Sequence, residues 1–262
     1  MKNYQTYLFD LDGTIYLGDQ LLPGAARTIA ALKDAGAAVR YVTNNPTRLA
    51  QDYAAKLTAL GVPTQPDEVI TSVTATTMWL RENHPTAAVY PIGEPPLIEA
   101  LRQGGVRLSS DPAEIDLVLA SFDRTFTYEK LQIAFDALWF HKRAILVATN
   151  PDKFCPYPGG RGEPDAAAII AAIEASTGVG LSRTFGKPSP DLAQLALASV
   201  GKERDLRQCV VVGDRLATDI AMGIDAGMDA VLVLTGDSSR DDLRSCPVQP
   251  TDVIEALPEL LG

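Results

Sequence analysis

The sequence predicts an α/β protein: an open parallel sheet covered by helices on both faces, with a second α/β unit inserted into it. Three observations lead there. Short, very apolar segments alternate with amphipathic ones from the N-terminus onward, the pattern of strands buried on both faces and the helices that cover them. The alternation restarts near residue 83, in a block too long to be a loop of the first sheet. A final segment, from about residue 184, resumes the first style. With 262 residues, 46% of them hydrophobic, the chain can build well-formed cores for one or two domains. The expected division is a discontinuous core of residues 1–82 plus 184–262, with an inserted unit of residues 83–183.

Residues 4–9 read as a buried strand that runs straight into Asp10. Residues 15–22 make a connecting flap with Gly18 and Asp19 at its turn. Pro23-Gly24-Ala25 opens a helix that buries Ile29 and Leu32, and Gly36 ends it. A strand over 38–42 leads into Thr43-Asn44-Asn45-Pro46. A helix over about 48–60 is closed by Gly61 and Pro63, and a strand at 68–70 and a helix at 74–82 follow. In the inserted block, strands at 87–90, 117–121 and 144–148 alternate with helices at 95–103, 127–140 and 166–176. Thr149-Asn150-Pro151-Asp152 leaves the last of those strands, and residues 156–164 read as a loop rich in Pro and Gly. Phe185-Gly186-Lys187-Pro188-Ser189-Pro190 is a rigid turn before a helix at 191–200. A strand at 209–212 ends in Gly213-Asp214, Thr218-Asp219 opens the next helix, and a strand at 229–234 follows. The tail carries a short strand near Val253 and a final helical turn.

The formal net charge of -10 argues against a nucleic-acid groove or an anionic membrane surface. Small anionic substrates stay open, because one bound cation can reverse the field inside a site. The three cysteines, Cys155, Cys209 and Cys246, are scattered and odd in number, which argues against a disulfide framework and a zinc cluster. Cys209, just before a Val run, reads as a core residue. No signal-peptide pattern and no bilayer-length apolar run are visible, so a cytoplasmic protein is expected.

Four sites share one placement: each lies just past a buried strand or just before a helix. Asp10 and Asp12 follow the first strand, Thr43 and Asn44 the second, Lys187 precedes a helix, and Asp214 and Asp219 follow the late strand. Open parallel sheets gather functional groups beyond the carboxyl ends of their strands. Asp10 and Asp12, two apart on an extended segment, point to the same side and repel unless a cation offsets them. Hard oxygen ligands favour magnesium. This set suits phosphoryl transfer through a covalent aspartyl phosphate. Asp10 would attack phosphorus, Asp12 would protonate the leaving oxygen, and Asp214 would add a metal ligand. Thr43 and Lys187 would hold phosphoryl oxygens, and Asp219 would order Lys187 or metal-bound water. Each residue also has an ordinary structural role open to it. Asp10-Leu11-Asp12 and Gly213-Asp214 suit strand-exit turns, Thr43-Asn44 and Asp219 suit helix N-termini, and Lys187 suits a surface turn.

Phe9-Asp10-Leu11-Asp12-Gly13-Thr14 resembles the first signature of the haloacid dehalogenase superfamily of phosphatases. Thr43-Asn44 resembles its second motif, Lys187 in Gly186-Lys187-Pro188 its third, and Gly213-Asp214-Arg215-Leu216-Ala217-Thr218-Asp219 its fourth, all in order. The long insertion between the second and third motifs is similar to that of the branch with a large α/β cap. NagD-type, p-nitrophenyl-phosphate, phosphoglycolate and pyridoxal phosphatases belong to that branch. Asp123-Arg124 before Tyr128-Glu129-Lys130-Leu131 and Thr149-Asn150-Pro151-Asp152 extend the match.

The resemblance implies a Rossmann-like (HAD-like) core with a cap that closes over the crevice and contacts the leaving group. It makes Asp10 the nucleophile and Asp12 the general acid/base. It implies a Mg2+ cofactor held by Asp10, Asp214 and the Asp12 carbonyl, with phosphate on Thr43, Asn44 and Lys187. Asp12 separates this pattern from the dehalogenase branch, and the position of the insertion separates it from phosphomutases. A non-catalytic phosphate-binding module would need a missing residue in one of the four motifs. The partner implied is a small phosphorylated metabolite, with a homodimer through the cap. Cap residues placed to meet the leaving group are Asp123, Arg124, Asn150, Asp152, Lys153 and Arg161 in the 160–164 stretch. The loop around Arg161 is longer than the compact turn of NagD, which points to sugar phosphates, with nucleotides, phosphoglycolate and pyridoxal phosphate as alternatives.

Overall fold

The computed structural model describes residues 2–157, 161–201 and 205–262. The chain divides into two compact units, the first made of Met1–Thr43, Ala50–Ile70 and Lys187–Gly262, the second of Asn44–Leu49 and Thr71–Gly186.

The first unit begins with β1 (Thr6–Phe9), every residue of which is buried. A short hairpin follows, β2 (Tyr16–Leu17) and β3 (Gln20–Leu21), turning at Gly18 as expected. Helix α1 (Ala25–Asp34) buries Ala25, Thr28, Ile29 and Leu32, a spacing of three and four that makes one apolar stripe. Gly36, at φ 85°, lets the chain leave that helix in a left-handed conformation. Then come β4 (Ala38–Thr43), α2 (Ala50–Ala59) and β5 (Val69–Thr71).

The second unit runs α3 (Ser72–Asn83), β6 (Ala88–Ile92), α4 (Pro95–Gln103), β7 (Arg107–Leu108), β8 (Leu117–Ala120), α5 (Tyr128–Phe135), β9 (Ile145–Ala148), β10 (Phe154–Tyr157), β11 (Arg161–Pro164), α6 (Ala166–Thr177) and β12 (Arg183–Thr184). Its main sheet has the order β12-β9-β8-β6-β7 and is parallel throughout. Its core gathers Ile92, Val118, Leu146 and the apolar face of α6 (Ile169, Ile170 and Ile173).

Three sequence expectations change here. Helix α3, expected to close the first unit, belongs to the second, because the Trp79 ring packs at a tilt on Phe185, 4.9 Å between centres, and the helix packs on α4. The helix expected over 127–140 is α only to Phe135 and continues as a π turn over Asp136–Phe140. The stretch expected as a Pro- and Gly-rich loop is an antiparallel hairpin, with Phe154 opposite Pro164 and Cys155 opposite Glu163. Residues 158–160 of that stretch lie outside the described residues.

The chain returns to the first unit with α7 (Pro190–Ala198), capped by Ser189. Next come β13 (Cys209–Gly213), a π turn over Leu216–Ile220, α8 (Ala221–Asp225), β14 (Asp229–Val233), α9 (Arg240–Ser245) and β15 (Asp252–Ile254). The six-stranded sheet has the order β15-β14-β13-β1-β4-β5. The helical run after β13 therefore opens at Leu216, ahead of the expected Thr218-Asp219, and α9 was not foreseen. Strand β1 lies at the centre, with the chain winding away to β4 on one side and returning to β13 on the other. That arrangement is a topological switch point, where open sheets leave a crevice beyond the strand ends. Among the described residues no helix is long and apolar enough to cross a membrane.

Candidate active site

Register brings the strand exits level. Phe9 sits opposite Val212 on one side and Tyr41 on the other, and the Asp10 amide donates to the Val212 carbonyl at 2.9 Å. Asp10 follows Phe9 directly, and Thr43 and Asp214 lie two residues past Tyr41 and Val212; all three are buried. Lys187, also buried, reaches into the same place. Its ammonium donates to Asp10 Oδ1, lies 2.7 Å from Asp219 Oδ1, and comes within 3.5 Å of the Val42 carbonyl. Asp219 is set by the π turn, where its Oδ2 accepts from the Arg215 amide at 3.1 Å. Single π turns inside helices recur at functional sites. Asp12, half-buried, sits two residues past Asp10 and forms a bridge with Tyr16 of the flap.

Carboxylate oxygens of Asp10, Asp214 and Asp219 lie within 4.8 Å of one another. One cation, Lys187, serves Asp10 and Asp219, and Asp214 is held differently. Its Oδ2 accepts from the Asp237 amide at 2.7 Å, while its buried Oδ1 has no hydrogen-bond partner among the described residues. A buried charged oxygen without a partner is costly, and an ion satisfies it. The surroundings leave room around that carboxylate, because side chains at Gly13 or Gly236 would run into it. Gly13 also has φ 89°, a conformation that only glycine adopts cheaply. The set is all oxygen and anionic, the donor chemistry of a hard divalent cation. The residues present therefore fit such an ion, with Asp10 and Asp214 as ligands and Asp219 engaged by Lys187.

Charge crowding shows in the proton affinities. Burial pushes the Asp10 carboxyl well above its ordinary range, with Asp219 and Asp214 adding to the rise and Lys187 opposing it. Asp214 is pushed up to about 7 by burial and by Asp219. Burial alone would lower the Lys187 ammonium, but Asp10 and Asp219 hold it above its usual value. Without a divalent ion, the folded chain thus holds protons that the unfolded chain gives up above about pH 4. Stability from this source is present below that pH and is lost as pH rises through about 7. Thermal melts of chelated protein are expected to show Tm falling from pH 4.5 to 7.5, and falling less in Asp214→Asn. A Tm that rises across that range in both proteins would contradict this account.

The segment Thr235-Gly236-Asp237-Ser238 was missed as part of the site. It packs on Gly13 and Asp214: Thr235 Oγ1 donates to the Gly13 carbonyl at 2.6 Å, and the Ser238 amide donates to the Asp214 carbonyl at 3.1 Å. Its signal was the one used elsewhere, a small polar exit after the apolar strand β14.

The second-unit candidates are held within that unit. The Asn44 side-chain amide donates to both Asp152 oxygens at 3.1 and 3.2 Å, and the Asn44 backbone carbonyl accepts from Ser72 Oγ at 2.7 Å. Asn150 is fully buried, accepting from Thr149 Oγ1 at 2.8 Å and donating to Asp165 Oδ1 at 3.2 Å. Asp123 is buried against Lys130 at 2.5 Å and Thr125. Arg124 makes a two-pronged pair with Glu94, at 2.6 and 2.8 Å, and that pair holds the Glu94 carboxyl below its usual value. Glu94 was not singled out by sequence, where it was only a residue before Pro95. Arg161 and Lys153 are exposed.

Comparison with known proteins agrees with this geometry. Residues 7–107 match the family of haloacid dehalogenase-like hydrolases, and residues 184–260 match a second, HAD-hydrolase-like family. The acid sugar phosphatase of Staphylococcus aureus (strain USA300) is 38% identical over 264 residues, spanning 99% of both chains. A 4-nitrophenylphosphatase from Thermotoga maritima superposes with TM-score 0.91 at 35% identity, covering 98% of this chain and 96% of that one. NagD from Escherichia coli K-12 superposes at 0.86 and 30% identity, covering 98% of each. With the motif order, the parallel core and these full-length likenesses together, the chain belongs to the haloacid dehalogenase superfamily, in its NagD-like phosphatase branch.

Proposed function

We propose that the chain is a magnesium-dependent phosphatase that hydrolyses small phosphomonoesters, sugar phosphates and aryl phosphates among them, through a phosphoryl group carried on Asp10. The observation behind this reading is the buried Asp10 carboxylate at the switch point, ion-paired to Lys187, beside Asp214 and two residues before Asp12. The sugar-phosphate and aryl-phosphate preference follows the activities named for the Staphylococcus and Thermotoga relatives.

In the first half, an Asp10 oxygen bonds to phosphorus as the bond to the ester oxygen breaks, and Asp12 gives its proton to that departing oxygen. In the second half, water attacks the same phosphorus and passes its proton to Asp12. The bond to Asp10 then breaks, releasing inorganic phosphate and restoring the carboxylate. Lys187 and Thr43, with backbone N–H groups at the strand exits, hold the phosphoryl oxygens. Magnesium, bound by Asp10, Asp214 and the Asp12 carbonyl, would supply positive charge that offsets repulsion between carboxylate and phosphate.

Chelation is expected to reduce phosphate release from p-nitrophenyl phosphate to background, and added magnesium to restore it. Magnesium should also raise Tm of the chelated protein in a concentration-dependent way, because it binds only the folded site. Full activity after exhaustive chelation would remove the metal from this scheme.

A further inference from the structure

The flap hairpin after Asp12 has two residue pairs, Tyr16 with Leu21 and Leu17 with Gln20. A two-stranded hairpin of that length has little stability of its own. Its base is tied to the catalytic turn. The Ile15 and Tyr16 amides donate to the Leu11 carbonyl at 2.9 and 3.2 Å, the Gly13 amide donates to the Tyr16 carbonyl at 2.8 Å, and Asp12 bridges Tyr16. Any shift of Tyr16 is therefore passed to the backbone that carries the Asp12 carboxyl.

Beside the packing of Ile15, Tyr16 and Leu21 on the core, a polar attachment runs through one side chain. Lys56, on α2, donates from Nζ to the Gly18 carbonyl at 2.7 Å and stands 3.7 Å from the centre of the Tyr16 ring. Asp19 Oδ1 is 3.6 Å away, but the Asp19 side chain is 93% exposed, whereas that of Lys56 is 16% exposed. An exposed carboxylate in water is a weak partner. The ammonium is thus buried against a carbonyl and an aromatic face, an arrangement that gains strength where water is excluded. Helix α2 is fixed in turn by Tyr53, Ala54 and Leu57, which bury its other positions. A rigid helix, one cation and a fully buried ring therefore set the position of the flap's base.

We propose that Lys56 is a positioning residue for proton transfer: it fixes Tyr16 and Gly18, and through the Asp12–Tyr16 pairing it aims the Asp12 carboxyl at the leaving oxygen. This rests on Asp12 being the proton donor. Phosphate esters separate the two ideas, because a phenolate leaves with little protonation whereas a sugar alkoxide needs a full proton. Misplacing a catalytic group by a fraction of an ångström costs rate without abolishing binding.

The experiment compares p-nitrophenyl phosphate with glucose 6-phosphate, in saturating magnesium, for the parent, Lys56→Met, Lys56→Arg and Asp12→Asn. Lys56→Met is expected to lower kcat on glucose 6-phosphate on the order of tenfold to a hundredfold, to lower it much less on the aryl ester, and to leave both KM values near the parent's. Lys56→Arg, which keeps a cation and donors, should recover most of the loss. Asp12→Asn should show the same bias more steeply. If Asp12→Asn lacks that bias, the assignment of Asp12 fails. If Asp12→Asn has it and Lys56→Met slows both esters equally, or neither, the positioning role is overturned, whatever happens to Tm. If Lys56→Met is too unstable to assay, Lys56→Gln carries the same prediction, since it keeps a donor for Gly18 but puts no charge over Tyr16.

Discussion

Asp10→Asn is expected to abolish turnover of p-nitrophenyl phosphate while leaving a folded protein. The amide has the shape of the carboxylate but offers no anionic oxygen to phosphorus. Loss of a nucleophile from an enzyme that works through a covalent intermediate costs on the order of 10⁶ in kcat, so activity should fall below about 10⁻⁴ of the parent. The fold should bear the change well. Burial already pushes the Asp10 carboxyl toward the protonated form, and the charges of Asp219 and Asp214 add to that push. Removing one of three crowded carboxylates relieves that repulsion, and Lys187 keeps its 2.7 Å contact with Asp219. Stability of the chelated variant should therefore match or exceed the parent's at neutral pH, while magnesium binding weakens. A measured kcat above about a hundredth of the parent's would show that Asp10 does not carry the phosphoryl group, given the size of the loss expected for a nucleophile.

The core site was legible because its residues leave buried strands. Cys209–Gly213 is apolar throughout and Thr6–Phe9 nearly so, and each ends abruptly in charge, which sequence shows directly. That Lys187 joins them across 177 positions follows from the parallel winding, which the βα alternation also announces. The four-ended meeting of Asp10, Lys187, Asp219 and Asp214 was thus readable as a set, although the π turn that orients Asp219 was not. A π turn differs from an α turn by one residue of hydrogen-bond offset, and no side-chain pattern encodes that. The Gly236 segment escaped for another reason: its role is to stay out of the way of Asp214, and a missing side chain leaves little mark among 20 glycines. In the second unit, Asp123, Arg124 and Asn150 were read as groups reaching for a ligand. The structure shows each with protein partners, and those partners (Lys130, Glu94 and Asp165) lie 7, 30 and 15 residues away. Polar residues at strand exits have the same composition whether they bind ligands or brace one another. The pairing of 154–157 with 161–164 was obscured by Pro156 and Pro164, because prolines that normally break strands are tolerated at sheet edges.

Lys187→Met should cost more than activity. The side chain is buried with Asp10 and Asp219, and it is the cation that the structure places against them. Methionine fills much of the same volume, so the loss is one of charge. Removing one partner of a buried ion pair leaves the other uncompensated, typically at about 3–5 kcal/mol. For a chain of this size that is on the order of 10 °C in Tm. Two features make the prediction specific. Asp10 and Asp214 already favour protonation, so acid can neutralise the stranded carboxylates, and the deficit should shrink as pH falls from 8 toward 5. A divalent ion can compensate in the same way, so magnesium should raise Tm more in the variant than in the parent. Phosphate release should be lost at every pH, since neither acid nor metal replaces the donor that the proposed scheme sets on the phosphoryl oxygens. Urea and thermal melts of both proteins, with chelator or with magnesium, at pH 5, 6.5 and 8, read all of this together. A deficit that is the same at every pH and indifferent to magnesium would mean that Lys187 matters to the fold by packing alone, and its place in the charge arrangement around Asp10 would have to be given up.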